Sequence, residues 1–108
     1  MRKRQPLRAF KVYRKGYILE VKIYKVPASA KNPHGYRFRC FMVDPLSEKE
    51  VVGYDNHWPK GSHRHFGGKE EPYPFKDIET LLDDFRRDCE RILEEVGDNE
   101  SSKNPCCR

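Results

Sequence analysis

Hydrophobic and polar residues alternate along the first half of the chain, which is the pattern of β-strands with one buried face. Residues 17–26 and 36–43 alternate over their whole length and are predicted to form two central strands. Weaker alternation at residues 7–13 and 51–56 predicts two further strands, and residues 63–66 form a fifth candidate. The pattern therefore predicts a sheet of four to five strands.

The hydrophobic period changes to that of a helix after residue 76. Asp77 suits the N-cap position of this helix and Gly97 the position just past its end, which predicts a helix over residues 77–96. Arg14-Lys15-Gly16 predicts a tight hairpin turn between the first two strands, so neighbouring strands should run antiparallel. The expected fold is α+β, an antiparallel sheet with one long C-terminal helix packed across it. The apolar stripe of the helix comprises Ile78, Leu81, Leu82, Phe85, Cys89, Ile92, Leu93 and Val96.

The length of 108 residues indicates a single domain with a modest core. We predict a disordered basic arm at residues 1–6, one α+β domain at residues 7–97 and a flexible polar tail at residues 98–108. No apolar run approaches the roughly 20 residues of a membrane span. The basic residues 1–4 are not followed by the apolar segment of a signal peptide, so we predict a cytoplasmic protein without membrane contact.

Charge is distributed unevenly along the chain. Residues 1–40 contain 12 Lys or Arg and one acid, a net charge of +11, whereas residues 41–108 contain 10 Lys or Arg and 16 acids, a net charge of −6. A basic half of this size is typical of a surface that meets a nucleic-acid backbone or an acidic partner. A solvated basic sheet face balanced by an acidic helix is the alternative interpretation.

Residues 52–69 concentrate the chemically active side chains of the chain. The segment holds three of the four histidines, four glycines and the basic residues Lys60, Arg64 and Lys69. Imidazoles exchange protons near neutral pH, cationic side chains neutralise phosphate, and glycine lets the backbone approach a ligand closely. A loop that only connects two elements needs none of the proton-transfer or anion-binding groups, so we predict a functional site for an anionic ligand here.

Four motifs follow one another between residues 19 and 93. They are Asn32-Pro-His-Gly-Tyr-Arg-Phe-Arg39, Val52-Gly-Tyr-Asp-Asn-His57, Gly61-Ser-His-Arg-His65 and Lys69-Glu-Glu-Pro-Tyr-Pro-Phe75. In this order they resemble the TumE-type toxins of prokaryotic toxin–antitoxin modules. The resemblance implies a small growth-inhibiting toxin that is neutralised by an antitoxin encoded beside it. It does not imply a catalytic mechanism or assign roles to residues.

Metal-independent cleavage of RNA needs a base for the 2′-hydroxyl, an acid for the leaving oxygen and cations for the charge that develops on the phosphate. The histidine-rich segment contains these groups, so we predict that the protein acts on RNA as an endoribonuclease. The catalytic candidates are His57, His63, His65, Tyr54 and Asp55, of which the aspartate suits both closing a turn and orienting a histidine. The candidates for binding RNA are Arg37, Arg39, Lys60, Arg64, Lys69 and Trp58, whose aromatic ring suits stacking on a base.

Two other classes of function remain open from the sequence. In the first, the same surface binds nucleic acid or protein without catalysis. In the second, His63 and His65 share one face of a strand and bind a metal, with His57 or Asp55 as a third ligand, which makes the protein a metal-dependent hydrolase. Three basic neighbours oppose a dication, so no metal ligand and no cofactor are predicted.

The predicted partners follow from the same considerations. They are a cognate antitoxin and RNA, with a homodimer as a further assembly. Cys40 and Cys89 fall on predicted buried faces, where we expect plain core residues, and all four cysteines should be reduced in the cytoplasm.

Overall fold

The computed structural model describes residues 6–30, 32–57 and 61–103, with side chains of the helix described as far as residue 95. One sheet of six antiparallel strands follows the order of the chain, β1-β2-β3-β4-β5-β6, and a C-terminal helix packs on one of its faces. The predicted α+β class is confirmed, with six strands instead of four to five. The elements are β1 Arg8–Arg14, β2 Tyr17–Lys25, β3 Tyr36–Asp44, β4 Lys49–Asp55, β5 His63–Phe66, β6 Lys69–Pro72 and α1 Ile78–Lys103.

The sixth strand arises from a two-residue hairpin that the sequence analysis did not identify. Gly67 and Gly68 have φ angles of 61° and 86°, a left-handed conformation that favours glycine and matches the twist of a tight hairpin. The turn returns the chain so that β6 pairs with β5 along its whole length. At the first hairpin, Lys15 and Gly16 have φ angles of 50° and 86°, which confirms the predicted turn there.

The helix begins as predicted and ends later. Asp77 is the N-cap, since its Oδ1 accepts a hydrogen bond of 2.7 Å from the backbone N–H of Thr80, and this bond lowers the pKa of Asp77. The helix then continues through Gly97, where its end was predicted, to Lys103. Glycine costs a helix about 1 kcal/mol relative to alanine but keeps its N–H donor, so it does not by itself stop the helix. Residues 1–5 and 104–108 of the predicted arm and tail lie outside the described residues.

The core lies between α1 and one face of the three strands β2, β3 and β4. Its members are Leu19, Val21, Ile23, Phe38, Cys40, Met42, Val52, Tyr54, Leu81, Phe85, Cys89 and Leu93, all less than 9% exposed. The two cysteines are buried free thiols, as predicted, and burial raises the pKa of each to about 12. Such thiols stay protonated and act as small apolar side chains.

Strand β1 is an exposed edge of the sheet. All seven of its residues are exposed, including Phe10 at 47% and Val12 at 38%. The helix covers the three strands that follow, and no helix in the described part of the chain covers the apolar side chains of β1. An exposed edge of this kind is open to pairing with another chain.

A buried amide joins the ends of β3 and β4. Asn56, which is 4% exposed, accepts a hydrogen bond of 3.0 Å from the backbone N–H of Phe38 and donates one of 2.8 Å to the carbonyl oxygen of Tyr36. The side chain thereby pairs with β3 one residue past the end of β4. This contact fixes the position at which the histidine-rich segment leaves the sheet.

The strand register determines which side chains share a face. Because cross-strand partners point to the same side, Leu19, Met42, Val52 and Phe66 form one row on the face that carries α1. The residues between them point to the opposite face, which no described helix covers. That open face carries most of the side chains predicted to be functional.

Candidate functional site

Two rows of polar residues cross the open face. In the first, Lys22, Arg39, Asp55 and His63 lie side by side on β2, β3, β4 and β5. The second row lies two residues away from the first along each strand and runs from β2 to β6. It comprises Glu20, Phe41, Gly53, His65 and Glu70. The strand pairing therefore brings side chains together that are up to 50 residues apart in sequence.

The first row forms the floor of a cleft of about 470 Å³. Three cations, one carboxylate and two imidazoles surround it, and this is the combination expected at a site that binds phosphate and moves protons. The lining residues are Lys22, Tyr24, Arg37, Phe38, Arg39, Asp55, Asn56, His57 and His63.

Asp55 contacts two histidines through one carboxylate oxygen. Its Oδ1 accepts a hydrogen bond of 3.2 Å from the backbone N–H of His57 and lies 3.2 Å from Nε2 of His63. On the other side of the His63 ring, Nδ1 lies 3.0 Å from the carbonyl oxygen of Gly61, so Nδ1 carries the hydrogen. The turn contact and the histidine contact predicted for Asp55 are both present in the structure.

The arginines of the cleft have partners that hold them at its rim. One terminal nitrogen of Arg37 lies 3.3 Å from Nδ1 of the exposed His57. Arg39 donates a hydrogen bond of 3.3 Å to Glu50 and covers the ring of Phe41, with 4.4 Å between its Cζ and the ring centroid. Both guanidinium groups remain exposed, so they keep donors for an incoming anion.

The second row brings another histidine to a carboxylate. His65 faces Glu70 directly across β5 and β6, with 3.9 Å between its Nε2 and Oε1 of the glutamate. The other oxygen, Oε2, lies 3.8 Å from Nε2 of His63. The two imidazole rings meet edge to face at 5.3 Å. The two histidines and Glu70 therefore converge at the β5–β6 end of the open face.

Three predicted site residues lie on the opposite, helix-facing side. Tyr54 is 2% exposed and donates a hydrogen bond of 2.6 Å to Asp88 of α1. Arg64 binds the same carboxylate through two nitrogens, at 2.8 and 3.0 Å, and also donates to Glu71. Lys69 pairs across the hairpin with Phe66 and shares the face of Arg64. The structure thus separates these side chains from the histidines.

Burial and hydrogen bonding keep Tyr54 and Arg64 in fixed protonation states at their contact with Asp88. The pKa of Tyr54 is raised, first by burial and then by its hydrogen bond to Asp88, so its hydroxyl stays protonated. The pKa of Arg64 is raised by its hydrogen bond to Asp88, which keeps it cationic. A protonated tyrosine, a permanent cation and a buried carboxylate form a satisfied polar network between sheet and helix.

The structure adds residues that the sequence analysis did not select. Lys22, Tyr24 and Glu70 lie in or beside the two rows. Strand alternation was the signal that could have placed Lys22 and Tyr24 on the open face, and the Gly67–Gly68 pair was the signal for the hairpin that brings Glu70 there. Asp88 carried no comparable signal, because it looks like one more acid on the polar side of the helix. Two further candidates, Trp58 and Lys60, lie outside the described residues.

The fourth histidine, His34, belongs to a separate aromatic cluster. Its ring lies 4.3 Å from that of Phe75 and 6.3 Å from that of Phe38, between centroids. The Nδ1 atom is buried without a hydrogen-bond partner, and burial lowers the pKa of the ring. His34 lies in the turn before β3, outside the cleft.

Fold and site together define a small α+β protein whose antiparallel sheet has one face covered by a helix and one open face that carries cations, carboxylates and histidines. The sequence model of the family described as Toxin TumE matches residues 2–93, which is most of the chain. The chain therefore belongs to the TumE toxin family, and this confirms the resemblance noted in its motifs. A search of the curated proteins gives no match, and a search of the solved structures also gives none.

Family membership identifies the broad role of the chain. It is a toxin component of a toxin–antitoxin module, which implies a cognate antitoxin as its partner. In the described part of the chain, no helix is long and apolar enough to cross a bilayer.

Proposed function

We propose that this toxin acts in the cytoplasm as an endoribonuclease and that the cleft on the open sheet face is its active site. The observation that carries the proposal is the first row of that face, in which Lys22 and Arg39 lie beside Asp55 and His63. Cations for the phosphate and groups for proton transfer thus border one cleft. A surface that only contacts a protein partner does not require this combination.

The roles of the side chains follow from their positions. Arg37 and Arg39, at the rim, bind the phosphate on which negative charge develops, as preorganised cations do in phosphoryl transfer. His57 and His63 are the acid and base candidates, and Asp55 orients the ring of His63. Tyr24, which lines the cleft, offers a ring for an unpaired base, a role that the buried Tyr54 cannot fill.

RNA cleavage is tested in cells, and RNA binding is tested with purified protein. Wild type, His57→Ala and Arg39→Gln are induced in a bacterial host, and the RNA is examined for new 5′ ends. Arg86→Gln is the matched control, because Arg86 is 72% exposed on α1, away from the cleft. We expect growth arrest with discrete new ends for the wild type and the control, and neither effect for His57→Ala.

Each of the other possible results of this experiment would point to a different function. Arrest without new RNA ends would contradict the ribonuclease proposal and leave a toxin with another target. Arrest by His57→Ala equal to that of the wild type would remove this histidine from the reaction. If RNA binding weakens in Arg39→Gln but no protein cleaves RNA, the open face is a non-catalytic nucleic-acid-binding surface instead.

A homodimer remains a prediction with a defined candidate surface. Two copies of β1 paired antiparallel would bring Arg8, Lys11 and Arg14 of one copy against the same residues of the other, and no acid lies in this strand. Like charges would therefore weaken such a dimer, and an acidic partner such as an antitoxin segment fits the edge better. Sedimentation of the isolated toxin measures the dimer directly.

A further inference from the structure

We infer that His63, His65 and Glu70 form a binding site for one zinc-class divalent cation. Each residue offers one ligand atom, and these atoms all lie within 4.8 Å of one another. Two imidazoles and one carboxylate are a donor set that Zn²⁺ accepts, leaving a further position open to water or substrate. The site lies at the β5–β6 end of the open face.

The distances between the imidazole nitrogens and the carboxylate oxygens are close to those between the ligands of a bound metal ion. Nε2 of His63 lies 3.8 Å from Oε2 of Glu70, and Nε2 of His65 lies 3.9 Å from Oε1. Ligands at about 2.1 Å from a tetrahedral zinc ion are about 3.4 Å apart, so side-chain rotations close the triad from separations of 4.8 Å or less. The Gly67–Gly68 hairpin holds His65 opposite Glu70 through the backbone pairing of β5 and β6.

The ring of His63 is already oriented as a metal ligand. Its Nδ1 lies 3.0 Å from the carbonyl oxygen of Gly61, and a histidine that binds metal through Nε2 commonly donates its Nδ1–H to such a carbonyl. Its Nε2 then faces oxygens of Asp55 at 3.2 Å and Glu70 at 3.8 Å. A lone pair aimed at two carboxylates is unfavourable unless a cation lies between them. A metal ion bound at Nε2 supplies such a cation.

The charge around the site favours a metal more than the sequence suggested. Three basic neighbours appeared to oppose a dication, but Arg64 and Lys69 lie on the helix-facing side, and Arg64 is engaged by Asp88 and Glu71. The open face instead places the carboxylates of Asp55 and Glu70 beside the imidazoles. The third ligand is Glu70, where the sequence analysis considered His57 or Asp55.

Metal binding does not depend on the proposed ribonuclease activity and is measured without it. The untagged 108-residue chain carries Cys106→Ser and Cys107→Ser in every sample, because cysteine thiolates are themselves good ligands for zinc. Zn²⁺ is titrated by calorimetry into this reference protein and into its His65→Ala and Glu70→Gln variants. His57→Ala is the matched control, since it removes an imidazole outside the triad.

We expect one zinc ion per chain in the reference protein and in the His57→Ala control. Affinity should fall at least about tenfold in His65→Ala and in Glu70→Gln. Zinc should also raise the Tm of the reference protein by more than that of Glu70→Gln, which removes an exposed charge and leaves the fold intact. Circular dichroism verifies that each variant is folded.

Two results would overturn the inference. Absence of zinc binding by the folded reference protein would leave the cluster as histidine–carboxylate contacts that hold no metal. Equal zinc binding by the reference protein and both triad variants would identify an adventitious site elsewhere. If zinc binds as expected, Nε2 of His63 is a zinc ligand. His57 is then the histidine that transfers protons in the proposed reaction.

Discussion

Arg64 and Asp88 form a two-pronged ion pair between strand β5 and helix α1, with Nε–Oδ2 and Nη2–Oδ1 distances of 2.8 and 3.0 Å. The side chain of Asp88 is 7% exposed and that of Arg64 is 22% exposed. Tyr54 donates its hydroxyl to the same carboxylate. Strand β5, which carries His63 and His65, is thus held to helix α1 by Arg64. The sequence had predicted that this arginine binds RNA.

Removing the carboxylate should destabilise the fold strongly. Asp88→Ala leaves the guanidinium of Arg64 and the hydroxyl of Tyr54 without their shared acceptor, and losing one partner of a buried pair costs about 3 kcal/mol in the free energy of unfolding. Asp83→Ala is the control, because Asp83 is 62% exposed on the same helix and should change stability by less than about 0.5 kcal/mol. Urea unfolding measures both. Equal effects would show that the pair does not hold the helix on the sheet.

Tyr54→Phe should lower stability and leave RNA cleavage intact. The variant keeps the buried ring but loses the hydrogen bond that the hydroxyl donates to Asp88 and the one that it accepts from Arg64, which costs about 1–3 kcal/mol. Its hydroxyl lies on the helix-facing side of the sheet, away from the open-face cleft. Growth arrest and unfolding are compared at a temperature at which the variant is folded. Loss of arrest by a folded Tyr54→Phe protein would restore the catalytic role predicted for this tyrosine.

Glu50→Gln should tighten the binding of RNA. Glu50 accepts a hydrogen bond from Arg39 at 3.3 Å and competes with phosphate for that guanidinium. Removing the carboxylate frees the arginine, and an exposed pair of this kind corresponds to an affinity gain of about two- to fivefold. Binding is measured by fluorescence anisotropy with a single-stranded RNA at low salt.

The control for this measurement is Glu94→Gln, which removes an exposed carboxylate from the helix. It changes the net charge by the same amount as Glu50→Gln, so it separates the local effect from the overall charge. Unchanged or weaker affinity in Glu50→Gln would contradict phosphate binding by Arg39.

His34 should make the stability of the fold depend on pH. Burial lowers the pKa of its ring in the folded state below the 6.5 of the unfolded chain. The unfolded state therefore takes up the proton first, so the contribution is present above pH 6.5 and is lost as the pH falls toward the folded-state pKa. His34→Phe keeps a ring against Phe75 and should show a smaller loss of stability on acidification. Urea midpoints at several pH values give both slopes, and equal slopes would contradict this role.

Much of the fold was predictable because hydrophobic periodicity is a local property of the chain. The alternation at β2 and β3 and the apolar stripe of α1 predicted three elements close to their observed positions. β6 was missed, since the four residues Lys69–Pro72 do not alternate and form a strand through their pairing with β5. The Gly67–Gly68 pair was the signal for that hairpin.

The candidate site was only partly predictable. Alternation along β5 already implies that Arg64 points away from His63 and His65. The loop-like composition of residues 52–69 as a whole hides this two-residue alternation. The same argument separates Tyr54 from Asp55 on β4. Where residues 52–69 form strands, successive side chains point to opposite faces of the sheet. The composition of the segment therefore combines residues of two different surfaces.

The sequence by itself determined most of the elements, the basic first half, the histidine cluster and the family, because each of these depends on residues that are neighbours in the chain. Only the tertiary structure decided that Arg39, Asp55 and His63 lie in one row, since this depends on the register of three strands, and a shift of one residue would turn a strand's side chains to the other face. It also decided that Arg64 meets Asp88, 24 residues away along the chain. Pairing between distant segments cannot be inferred from local patterns, because it is set by how the sheet and the helix pack together.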